Sequence, residues 1–110
     1  MEERELANII GEILDAKKGI DIQIIDLEGK TIIADYFVIA TGNSKPHIRS
    51  LTEEVEIKLR DEYKIEPLHI EGRDSGRWIL MDYGGVILHV FHEEDRNFYS
   101  LEKLWQSRRI

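Results

Sequence analysis

The run RWILMDYGGVILHVFH, Arg77 to His92, sets Gly84 and Gly85 between two β-prone segments. A two-residue glycine turn fixes the register of a hairpin, because pairing is counted outward from the turn. Tyr83 then faces Val86, Asp82 faces Ile87, Met81 faces Leu88, Leu80 faces His89, Ile79 faces Val90 and Trp78 faces Phe91. Side chains alternate along a strand, so one face carries Ile79, Met81, Leu88 and Val90, an ordinary core surface. The other carries Trp78, Leu80, Asp82, Ile87, His89 and Phe91. Large aromatics with one acid and one imidazole suit a protein interface. The alternative is cover by a helix, since strands enclosed on both sides are apolar on both sides.

The other elements follow from periodicity. Leu6, Ile9, Ile10, Ile13 and Leu14 recur at helical spacing, and Gly19 after Lys17 and Lys18 supplies a stop. IDIQIID alternates as a strand, and LEGK turns it into TIIADYFVIAT, giving a second hairpin. Ser44 is placed to cap a helix with Pro46 in its first turn, with Ile48, Leu51, Val55 and Leu59 on one stripe and an end near Tyr63. PLHIEG reads as a short strand and GRDSG as a loop, and Asn97 caps a last helix carrying Phe98, Leu101, Leu104 and Trp105. The order αββαβββα predicts an α/β fold: a mixed sheet of about five strands with flanking helices. The helix between the second and third strands permits a parallel crossover.

Bulk properties narrow the function. At 110 residues with 42% hydrophobic content, the chain builds one core, so residues 1–110 read as one domain. It has no cysteine for a disulfide or thiolate metal site, which suits a reducing cytoplasm. The start MEERELANII lacks the basic, continuously apolar character of a signal peptide, and no apolar run nears the ~20 residues of a membrane span. With 22 Asp and Glu against 15 Lys and Arg, the charge of −7 repels a phosphate backbone. Little direct RNA contact is expected, and a basic protein partner is favoured.

Catalytic patterns are thin. ATGNSKP matches neither the dinucleotide fingerprint nor the P-loop, because Gly42 stands alone. A nucleotidyltransferase would need two carboxylates on one face of the strand after the glycine turn, and PLHIEG offers Glu71 alone. His89 and His92 lie on opposite faces of their strand, so they do not share a metal. Neither a catalytic site, a cofactor nor a metal is expected.

Taken in order, DYFVIATGNS, Glu71 with Gly72, GRWILMDYGGVILHVF and RNFYSLEKLW resemble the ribosomal silencing factor family, the Iojap-like proteins, from about Leu6 to Trp105. The resemblance implies a small α/β domain of nucleotidyltransferase-like topology without its chemistry. It implies binding to the large ribosomal subunit through ribosomal protein L-fourteen, which blocks association with the small subunit and represses translation under nutrient limitation. Mitochondrial and plastid relatives act in large-subunit assembly, and family members are often homodimers in solution. A degenerate nucleotidyltransferase that still binds nucleotide at Thr41 to Ser44 is the competing reading. For docking, the expected residues are Asp35, Tyr36, Trp78, Leu80, Asp82, His89 and Phe91. Arg73 and Arg77 in the loop beside them interrupt an otherwise acidic edge.

Overall fold

The computed structural model describes residues 1–99, with side chains over 1–96. The elements are α1 (Glu3–Ala16), β1 (Ile20–Asp26), β2 (Tyr36–Gly42), α2 (Lys45–Tyr63), β3 (His69–Glu71), β4 (Trp78–Asp82), β5 (Val86–His92) and α3 (Glu93–Tyr99). The five strands form one sheet in the order β1-β2-β5-β4-β3. Only the central β2–β5 pair is parallel, and its neighbours are antiparallel. This is the mixed α/β sheet expected from the order of elements.

The β4–β5 hairpin has the register counted from its turn, from Trp78 opposite Phe91 to Asp82 opposite Ile87. Tyr83 N–H closes the turn on the Val86 carbonyl at 2.9 Å, and Gly84 takes φ of +89°, a conformation that an L side chain resists. Parity then divides the molecule into two layers. On one side Ile79, Met81, Leu88 and Val90 meet Tyr36, Val38 and Ala40, and α1 and α2 close over them. The predicted stripe of α2, Ile48, Leu51, Val55 and Leu59, is wholly buried there, and Leu6, Ile10, Ile13 and Leu14 of α1 are buried with it. Ser44 caps α2, its Oγ accepting from the His47 N–H at 3.2 Å.

Two local expectations change, at the start of β2 and of the last helix, and two are refined. TIIADYFVIAT is not one strand: β2 begins at Tyr36, and residues 27–35 form a loop closed by Lys30 N–H to the Leu27 carbonyl and Leu27 N–H to the Asp35 carbonyl. The loop exists because Asp35 and Tyr36 N–H both turn to the Gly85 carbonyl, which starts the sheet there and strands Ile32 and Ile33 in solvent. α1 stops ahead of Gly19 as expected, with the Gly19 N–H on the Leu14 carbonyl at 2.8 Å and Lys18 in the left-handed conformation at φ of 64°. The parallel partner of β2 is β5, reached through α2, β3 and β4; β3 also runs parallel to β2, but at the far edge of the sheet. The last helix starts at Glu93, ahead of Asn97, because Glu93, Glu94 and Asp95 suit the positive end of a helix dipole. Leu101, Leu104, Trp105 and the side chain of Phe98 lie outside the described residues.

Candidate docking surface

The second sheet face is built from alternate residues of three strands. Phe37 and Ile39 of β2, Ile87, His89 and Phe91 of β5, and Trp78 and Leu80 of β4 join Ile25, Leu27 and Ala34 in a second apolar cluster that includes the imidazole. Trp78 stacks on Phe91 with ring centres 4.8 Å apart, and Phe37 meets His89 edge-on at 4.8 Å. The Trp78 indole N–H donates to His89 Nδ1 at 3.2 Å. That bond makes Nδ1 the acceptor, so the neutral ring carries its proton on Nε2. Among the described residues, Nε2 is buried with no hydrogen-bond partner. Burial pushes the His89 pKa down to about 4, so the ring is uncharged at neutral pH.

The expected site residues separate into three positions. Trp78, Leu80 and Asp82 are half-buried at the hairpin surface, whereas His89 and Phe91 are 5% and 1% exposed and form the bed beneath them. Asp82 Oδ1 accepts from the Gly84 N–H at 2.8 Å, so this acid also shapes the turn. Asp35 sits at the same end of the sheet, its N–H donating to the Gly85 carbonyl at 2.8 Å. Tyr36 is not brought to this face. It points into the helix-side core, 2% exposed, where its hydroxyl donates to Glu28 at 2.6 Å and accepts from Arg4 Nε at 3.2 Å. Asp35 lies in the bend before β2, outside the strand's alternation, and its carboxylate stands by Gly85 and Glu3 at the start of α1, away from the Trp78 face.

The loop cations are balanced. Arg77 donates to both oxygens of Asp95, at 2.9 and 3.2 Å, and Arg73 pairs with Glu56 of α2. The loop geometry rests on glycine: Gly72 takes φ of +92°, and a Cβ there would overlap the Trp78 carbonyl. Sequence reasoning missed three exposed apolar side chains. Ile32 and Ile33 stand in solvent in the 27–35 loop, and Leu68, exposed at 76%, has its N–H on the Asp82 carbonyl at 2.7 Å. The signal was present in TII and PL, but the first was absorbed into a strand.

The glycine turn after β2 is filled rather than hollow. A Cβ on Gly42 would run into the Ile48 side chain, and the Asn43 N–H is taken by His47 Nδ1 at 3.1 Å. Gly42 is thus packed directly against the first turn of α2. Among the described residues no group of three or more His, Cys, Asp or Glu could hold a metal ion.

Comparison with known proteins decides the family. A family profile described as "Ribosomal silencing factor during starvation" matches residues 1–110. The chain belongs to the ribosomal silencing factor family. Ribosomal silencing factor RsfS of Bacillus subtilis is 39% identical over 105 residues, spanning 96% of this chain and 88% of its own. A crystal structure of a Chromobacterium violaceum protein, 33% identical, superposes with a TM-score of 0.92 over 100% of this silencing factor and 91% of that chain. The mouse protein named "Mitochondrial assembly of ribosomal large subunit protein 1" is 30% identical over 104 residues, which are 92% of this chain but 45% of the mouse protein. The crystal structure shares the fold that positions this hairpin.

Proposed function

We propose that this silencing factor docks on the large ribosomal subunit through ribosomal protein L-fourteen and sterically blocks the joining of the small subunit, repressing translation when nutrients are scarce. One observation carries the reading: Trp78 and Leu80 lie half-exposed on a packed bed of Phe37, His89 and Phe91, with Asp82 beside them at a turn that the exposed Leu68 borders. A pre-ordered aromatic anchor with an acidic border matches a basic protein surface. The charge of −7 disfavours ribosomal RNA as the main contact. The role is binding rather than catalysis, in a cytoplasmic setting.

Sedimentation of purified subunits tests this. Added protein should convert joined ribosomes into separate subunits, and Trp78→Ala should weaken binding to the large subunit by about 2 kcal/mol. Joined ribosomes left undiminished would sink the proposal. A second reading, large-subunit assembly, is favoured by the name of the mouse relative. It uses the same surface, and a deletion strain separates the two: immature large particles point to assembly, normal particles with excess joining in stationary phase to silencing. Nucleotide binding at Thr41 to Ser44 is disfavoured by the packed Gly42 turn, and calorimetry with magnesium and nucleoside triphosphate should give no binding heat.

A further inference from the structure

The 27–35 loop between β1 and β2 sorts its apolar residues into two groups. Leu27 and Ala34 are buried in the cluster that carries Trp78, whereas Ile32 is fully exposed and Ile33 is 66% exposed. Looseness does not account for that exposure, because the loop is held along its length. Asp26 Oδ1 accepts from the Glu28 N–H at 2.9 Å, Thr31 Oγ1 accepts from the Ile33 N–H at 3.1 Å, and the Tyr36 hydroxyl donates to Glu28 at 2.6 Å. Two adjacent isoleucines are thus fixed in solvent, where polar side chains would serve the fold equally well. Ala34 alone separates Ile33 from Asp35, and there the loop meets a cavity of about 390 Å³ lined by Glu2, Glu3, Arg4, Glu28 and Asp35. Arg4 and Glu28 are joined through the Tyr36 hydroxyl. Glu2, Glu3 and Asp35 form no ion pair among the described residues, and Lys30, the loop's one cation, does not line the cavity.

We propose that the 27–35 loop and this cavity form a second docking surface, for a protein partner that sets lysine or arginine beside an apolar recess. Ile32 and Ile33 fill the recess as a preformed knob, so little ordering of the loop opposes binding. The partner's cations enter the cavity and meet Glu2, Glu3 and Asp35, which fixes orientation and excludes acidic competitors. At about 390 Å³ the cavity is near the lower limit of small-molecule sites, a size suited to a long basic side chain. Charge also selects against a second copy of this chain, which would bring the same carboxylates together on two molecules of charge −7. The surface does not include Trp78 or Leu80 and does not rest on the ribosomal reading.

The test is an amide-shift titration of the isotope-labelled full chain with the blocked peptide acetyl-Lys-Leu-Lys-Leu-Lys-amide. Saturable shifts confined to residues 2–4 and 28–35 are expected. Two double variants, Ile32→Ser with Ile33→Ser and Glu2→Gln with Glu3→Gln, change only exposed side chains, and the amide dispersion of each free variant checks its fold. Each should lose about tenfold in affinity, whereas Trp78→Ala should bind the peptide unchanged. Shifts clustered on residues 78–91, or affinity that either double variant leaves intact, would overturn the proposal. So would self-association in sedimentation that the isoleucine variant abolishes, since the knob would then serve a second copy. Flotation of the native chain with phosphatidylcholine vesicles, lost in the isoleucine variant, would assign the knob to a lipid surface instead and overturn it equally.

Discussion

His89 and Gly72 show two ways in which one residue holds the hairpin face. Burial lowers the His89 pKa from 6.5 to about 4, so between those values the unfolded chain takes up a proton that the folded chain excludes. Stability is therefore intact above pH 6.5 and falls as the pH drops toward 4, by on the order of 3 kcal/mol across the full interval. Urea midpoints of the native chain should show this slope, and those of His89→Leu should lack this part of it. Direct imidazole titration by NMR should find a midpoint near 4, and one near 6.5 would contradict the buried, neutral ring. At Gly72 the cost is steric. With φ of +92° and the Trp78 carbonyl where a Cβ would go, Gly72→Ala should destabilise by about 3 kcal/mol in chemical denaturation. A loss under about 1 kcal/mol would mean that the loop adapts freely.

At the scale of elements, what the sequence disclosed depended on whether a local rule was sufficient. The hairpin register was legible because two glycines and strict alternation determine it without reference to any other segment. Helix α2 was legible from Ser44 to Tyr63 because its cap, its Pro46 and its stripe agree. Ser44→Ala should accordingly lower stability by about 1 kcal/mol, read from thermal or urea unfolding, and should leave the burial of Leu51 unchanged. What was not legible came from distant partners. Ile32 and Ile33 have strand-like chemistry, but the Gly85 carbonyl, more than fifty residues along the chain, decides where β2 begins. The site was divided for a related reason. Trp78, Leu80 and Asp82 follow from hairpin parity alone, whereas the inward direction of Tyr36 depends on where β2 sits between β1 and β5. The depth of His89 and Phe91 depended on neighbours that a single strand does not reveal.

In the proposed docking, charge and apolar anchors would have separate tasks: attraction between the acidic chain and a basic surface would act mainly on encounter, and Trp78 with its bed on dissociation. Raising salt from about 50 to 500 mM should slow association with the large subunit about tenfold and leave dissociation nearly constant, measured by surface-based kinetics. A tenfold faster dissociation at high salt would instead place charge at the centre of the contact.

The parallel pairing of β2 with β5 also bears on how the chain acquires its shape. Tyr36 lies opposite Val86, so the central contact of the sheet closes a loop of about fifty residues. All seven residues of β2 are buried in the finished sheet, yet during synthesis β2 leaves the exit tunnel long before the strand that shields one of its sides. A hairpin with β1 and cover from α1 and α2 are the partners available in that interval. The pairing of β5, with its β4 hairpin, onto β2 is therefore the strand contact with the longest loop to close.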